Sequence, residues 1–166
     1  MRRICIKCDD MDEKDSRIII EIQKDAKIRS SALSRKTGIP LSTVHSRINR
    51  LEKQGVVKSY HAIVDPEKIG RPITAFVQVI ISSEKSVEEV ASRLAKIDGV
   101  EEVYTISGQF DITTKVRLAS TEALGDFIFS KTTGLRSWPG VVRTETMLVF
   151  KAFGENIPLT PINPKK

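Results

Sequence analysis

Residues 39–55, IPLSTVHSRINRLEKQG, decide how the first part of this chain folds. Val44, Ile48 and Leu51 stand at i, i+4 and i+7, the spacing of one helical face, with Ser42 placed to cap the helix and Gly55 to end it. Upstream, Ser30 is read as the cap of a short helix over SALSRKT, with Ala32, Leu33 and Arg35, which stops at Gly38, a residue able to take the left-handed conformation. A first helix begins at Asp12, an N-cap with Asp15 three positions on, and runs through Ile18, Ile19 and Ile22 to about Lys24. Three short helices, the third basic and preceded by a tight turn, make a helix-turn-helix whose last helix fits a major groove about 12 Å wide.

If Val44, Ile48 and Leu51 face inward, then Ser42, Thr43, His45, Ser46, Arg47, Asn49 and Arg50 are left toward solvent. In that arrangement Arg47 is expected to make a bidentate contact with guanine, and Ser and Thr hydroxyls to read base edges or phosphates. Arg50, Lys53 and Lys58 are assigned to phosphates. His45 gains its interest from position alone. The competing reading is a three-helix protein-interaction module whose charges are solvated; helix length, turn and charge together favour DNA.

The charge supports this division. The 166 residues carry a net charge of +6, and residues 1–62 hold 14 Lys and Arg against 8 Asp and Glu, while residues 63–166 hold 13 of each. From Lys27 to Lys58 the only acidic residue is Glu52. Such a block suits a polyanion. With 40% hydrophobic and 29% charged residues the chain can bury a core. No apolar run approaches the roughly 20 residues of a membrane helix, and the opening MRRICIKCDD lacks the apolar stretch of a secretory signal, so a cytoplasmic location is expected.

Downstream of the helices, VVKSYHAIV is β-rich, and DPEKIGRP punctuates it. The expected domains are a helix-turn-helix with a short N-terminal arm (1–62), a linker (63–72), a second domain (73–154) and a flexible proline-rich tail (155–166). Within the second domain, ITAFVQVIIS reads as a strand, SVEEVASRLAKI as a helix, VEEVYTIS and DITTKVRLA as strands joined by the tight SGQFD, STEALGDFIFSKTT as a helix, and GVVRTETMLVFKAF as the last strand. The order β-α-β-β-α-β is that of a ferredoxin-like fold, an α+β architecture whose helices cover one sheet face and leave the other for a second subunit.

Cys5 and Cys8 form a C-x-x-C, but no second pair follows, and His45 and His61 belong to other elements, so free thiols are preferred and no metal or cofactor is expected. Nucleophile elbow, phosphate loop and metalloprotease helix are all missing, so the chain reads as a non-enzyme.

The run MDEKDSRIIIEIQKDAKIRSSALSRKTGIPLSTVHSRINRLEKQGVVKSYHAIVDPEKIG resembles the N-terminal half of the Lrp/AsnC regulators, and GQFD followed by PGVVRTETMLVFK resembles their C-terminal half. The resemblance implies a winged-type helix-turn-helix regulator of transcription, dimers assembled further into octamers, pseudo-palindromic DNA and a small amino-acid effector. It places the effector at Ser107, Gly108, Gln109, Phe110 and Asp111, with Thr144 and Thr146 completing the site from a facing subunit. The chemistry is consistent: a glycine lets backbone amides approach an α-carboxylate, and an Asp carboxylate takes the α-ammonium. In this reading Gln109 and Phe110 tune side-chain choice, although SGQFD also satisfies the requirements of a plain hairpin turn. Two alternatives share the architecture, an effector-independent DNA-binding architectural protein and a sirohaem-decarboxylase-like enzyme. The latter uses His and Arg residues in the second domain, where this chain has no His.

Overall fold

A computed structural model describes residues 11–153 and Leu159, which divide into two compact units, residues 11–63 with Leu159 and residues 64–153. The N-terminal arm with Cys5 and Cys8, and the tail apart from Leu159, lie outside the described residues.

The first unit is built from α1 (Glu13–Lys24), α2 (Ser30–Thr37) and α3 (Leu41–Lys53). The start of α1 is fixed by a reciprocal capping box: the Asp15 N–H donates to Asp12 Oδ1 at 3.0 Å and the Asp12 N–H to Asp15 Oδ2 at 3.1 Å. Ile18, Ile19, Ile22, Leu33, Ile39, Val44 and Leu51 form the core, and Ile48 packs at its edge. Each such side chain contributes about 1.5–3 kcal/mol by leaving water. Helix α2 ends at Gly38, whose φ of 70° is left-handed. Ser34 Oγ then donates to the Ile39 carbonyl at 2.6 Å, tightening the turn into α3.

Two expected caps are corrected. Ser30 is the first residue of α2, whose N-cap is Arg29, and Ser42 lies inside α3, whose N-cap is Pro40. Pro40, at φ −53°, already has the angle a helix requires, so α3 begins directly after it and no side chain caps it. The β-rich residues 56–64 form no strand. A strand needs a hydrogen-bonded neighbour as well as suitable side chains, and the described chain offers this segment none. Gln23 exchanges two amide hydrogen bonds with the Leu159 backbone, both at 2.8 Å.

The second unit runs β1 (Ile73–Ile81), α4 (Val87–Leu94), β2 (Val100–Thr105), β3 (Ile112–Leu118), α5 (Thr121–Phe129), a 3-10 turn (Leu135–Ser137) and β4 (Val141–Leu148). The sheet order is β2-β3-β1-β4, with every neighbouring pair antiparallel. Ser86 and Ser120 cap the two helices with their hydroxyls. Alternation sends Ala75, Val77, Val79 and Ile81 of β1 and Ile112 and Val116 of β3 against Val90, Leu94, Leu124 and Ile128 of the helices. Thr114, buried among them, is satisfied by donating to the Glu102 carbonyl at 2.7 Å. On the other face Phe76, Tyr104 and Met147 are exposed. This is the α+β, ferredoxin-like arrangement expected. The last strand stops at Leu148, and α4 and α5 end at Leu94 and Phe129, each short of the periodic pattern.

Candidate DNA-reading helix and effector loop

Helix α3 presents two different faces. Ser42, His45, Ser46, Asn49 and Lys53 are all exposed and follow one another at helical spacing, so they form a single outward stripe. Thr43, half-buried, flanks it. Three of these side chains are neutral hydroxyl or amide groups, each with donor and acceptor capacity.

Arg47 and Arg50 do not join that stripe. Arg47 Nη1 donates to Asp12 Oδ1 at 2.6 Å and to Asp15 Oδ1 at 2.9 Å, while Arg50 Nη2 donates to Asp15 Oδ2. Asp15 has no solvent exposure, and the Arg47 side chain is only 19% exposed. Without DNA both guanidinium groups are turned toward α1, so the expected contacts of Arg47 with a guanine edge and of Arg50 with a phosphate are not preformed. From the sequence, Asp12 and Asp15 read only as a helix cap. The signal that they also serve α3 is weak, since the pairs are separated by 32 and 35 positions.

Partial desolvation pushes the Asp12 carboxyl upward, but the Asp15 N–H and the Arg47 guanidinium outweigh it and hold the group at about 2, below its ordinary 3.8. A carboxyl depressed on folding contributes stability that is complete above its unfolded pKa and lost as pH falls through the folded one. Asp12→Asn is therefore expected to be less stable than the parent at pH 7 by up to about 1 kcal/mol, the scale of a half-exposed ion pair. The difference should close between 3.8 and about 2. Urea titrations of both chains over pH 2–7 check this, and a gap that persists undiminished at the lowest pH would refute the assignment.

In the second unit the segment 107–111 joins β2 to β3. Ser107, Gly108 and Gln109 are exposed, and Gly108 has φ 125° with nothing within 4 Å of where a Cβ would stand. The loop's backbone is thus both unobstructed and in a conformation suited to glycine. Phe110 is buried, 7% exposed, so its ring belongs to the interior of the unit and not to the loop's open side. Asp111 ties the loop to β1: its N–H donates to the Val79 carbonyl at 3.0 Å, and its Oδ2 accepts from the Ile81 N–H at 2.7 Å. Ile81 lies where the β1–β4 register shifts, so this carboxylate satisfies a donor at an irregular point of the ladder. Thr144 and Thr146 pair with Val79 and Val77 on the opposite side of β1 from Ile112 and Thr114. Two strand spacings, about 10 Å, therefore separate them from the loop within one chain. Thr144 is half-buried and Thr146 exposed.

The two units match two family models, "Winged helix-turn-helix DNA-binding" over residues 11–58 and "Lrp/AsnC ligand binding domain" over residues 74–159. The chain belongs to the Lrp/AsnC family. It is 39% identical over 149 residues to the HTH-type transcriptional regulator FL11 of Pyrococcus horikoshii, which is 90% of this chain and 95% of that one. It resembles the solved structure of a feast or famine regulatory protein from M. tuberculosis complexed with L-methionine, with TM-score 0.80 at 30% identity over 90% of this chain and 99% of that one. A transcriptional regulator from Neisseria meningitidis has the same fold, with TM-score 0.83 at 24% identity over 90% of this chain and 96% of that one. This Lrp/AsnC chain is a DNA-binding transcription regulator. Among its described residues no helix is long and apolar enough to cross a membrane, and no cluster of three His, Cys, Asp or Glu could hold a metal ion.

Proposed function

We propose that this Lrp/AsnC regulator reads duplex DNA with the outward stripe of α3 and is modulated by a small amino acid held at residues 107–111. The observation that carries the first half is the stripe itself: Ser42, Thr43, His45, Ser46, Asn49 and Lys53 are presented by a helix with an uncapped first turn. Asn49 pairs best with adenine through its N6 and N7 edge, the hydroxyls take base edges or phosphates, and Lys53 takes a phosphate. The uncapped N–H groups of α3 suit a further phosphate oxygen.

The second half rests on the open Gly108 backbone, the Asp111 carboxylate beside it and the L-methionine complex of the M. tuberculosis relative. Ser107 and Gln109 border the α-carboxylate and the ligand side chain. Phe110 supports the loop from inside. Thr144 and Thr146, two strands away, complete the site from a facing subunit. A second copy covering Phe76, Tyr104 and Met147 accounts for their exposure, and supplies the two recognition helices that half-sites about 34–36 Å apart require. Further assembly to an octamer is the form in which facing dimers meet. Effector binding then acts by favouring one arrangement of subunits over another.

Asn49→Ala should cost about 1–3 kcal/mol of discrimination on a duplex selected from a random library, while leaving affinity for a scrambled duplex unchanged. Equal losses on both duplexes would refute base reading by this residue. For the effector, a thermal-shift screen of the twenty amino acids with L-methionine first tests the site, since a ligand at 100 times its Kd stabilises the native state by about 2.7 kcal/mol. No shift with any of them would favour an effector-independent architectural protein.

A further inference from the structure

The basic pattern of α3 overstates the charge available to DNA, because two of its cations are paired with carboxylates at the start of α1. Arg47 and Arg50 stand one turn apart on α3 and converge on a single carboxylate with no solvent exposure. Asp15 accepts three donors: the Asp12 N–H and Arg50 at Oδ2, and Arg47 at Oδ1. Arg50 sits far enough inward that its Nε is buried. The apolar contacts between α1 and α3, through Ile18, Val44 and Leu51, are not directional and tolerate rotation of one helix about its axis. Hydrogen bonds to a fixed carboxylate are directional and do not.

We propose that Asp15 is a positioning residue for DNA recognition: through Arg47 and Arg50 it sets the roll of α3 on α1, so that Ser42, His45, Ser46 and Asn49 face outward together. The inference rests on the reading face proposed above. It makes Arg47 and Arg50 structural, with the exposed Lys53, Lys58, Arg29 and Arg35 left to meet phosphates. Asp15 belongs to the capping box of α1, so one local motif both starts that helix and orients another 32 to 35 positions away.

The test measures the full chain against a duplex selected from a random library and a scrambled duplex, each over a range of salt. Asp15→Asn is expected to lower the ratio of the two affinities by at least about tenfold, the loss of one good base contact, with little change on the scrambled duplex. Arg47→Gln is expected to lower the ratio equally while leaving the salt slope intact. A slope reduced by about 0.9 in Arg47→Gln would make Arg47 a phosphate contact and overturn the proposal. An unchanged ratio in Asp15→Asn would overturn it too. Because these variants could lose the fold, the parent chain is also footprinted with phenylglyoxal, with and without the selected duplex. Arg47 is expected to be protected equally in both. Fast modification of Arg47 in the free protein, blocked by DNA, is the contrary result. A parent chain with no salt-dependent affinity for either duplex would remove the reading face itself, a failure distinct from any in the variants.

Discussion

Asp15→Ala is expected to lower the stability of the DNA-binding unit by about 3 kcal/mol or more. Truncating it leaves two guanidinium groups without their common acceptor and breaks half of a capping box. Removing one partner of a buried ion pair costs about 3–5 kcal/mol. The low end applies because the Arg50 side chain is 40% exposed and regains water, and because Arg47 keeps its bond to Asp12. A domain of this size has total stability of only about 5–15 kcal/mol, so the variant should populate an opened first unit. Native-state hydrogen exchange resolves this from the ligand-binding unit, which a single melting temperature does not. The amides of α1 and α3 should lose protection together while those of β1 and β3 keep theirs. Unchanged exchange in α3 would show that the ion network contributes nothing to holding it.

The second large effect is at Asp111, where two roles are superposed and two substitutions separate them. Asp111→Ala removes the acceptor of the Ile81 N–H, which costs about 1–3 kcal/mol when the donor is left buried. It also removes the charge proposed to hold an α-ammonium, so amino-acid affinity should fall by about 100-fold, within the range for truncating one member of a hydrogen-bonded charge pair. Asp111→Asn keeps an oxygen for Ile81 but loses the charge. It should therefore be near the parent in stability yet share most of the loss in affinity. Calorimetry with the strongest amino acid of the thermal screen reads the affinity, and chemical denaturation reads the stability. Full affinity in Asp111→Asn would remove the carboxylate from the effector site and leave it as a brace for the β1–β4 irregularity.

The sequence by itself determined what depends on near neighbours. Helix faces follow from Ile18, Ile19 and Ile22 and from Val44, Ile48 and Leu51, and strand faces from the alternation in β1 and β3. The start of α1 follows from a motif three residues wide and the end of α2 from Gly38. These are encoded within a turn or two of chain, where periodicity and φ preferences act. Helix starts at α2 and α3 were legible only to within a residue or two, because Ser and the residues preceding it offer alternative caps and Pro40 preset the angle. Residues 56–64 carry strand side chains, but pairing is a property of neighbours the local sequence does not name.

Only the tertiary structure decided the fate of Arg47, Arg50 and Asp111. Arg47 lies beside the buried stripe, three positions after Val44 and four before Leu51, where helical geometry allows its long side chain to turn toward solvent or toward a neighbouring helix. The choice was made by carboxylates more than 30 positions away, brought within hydrogen-bond distance when α1 packs on α3. In the same way Asp111 reads as an open loop carboxylate until β1 is laid beside it and Ile81 offers an N–H that the ladder leaves over. Local pattern chooses the elements. Which side of a boundary residue is used depends on the unsatisfied charge or donor that packing sets next to it.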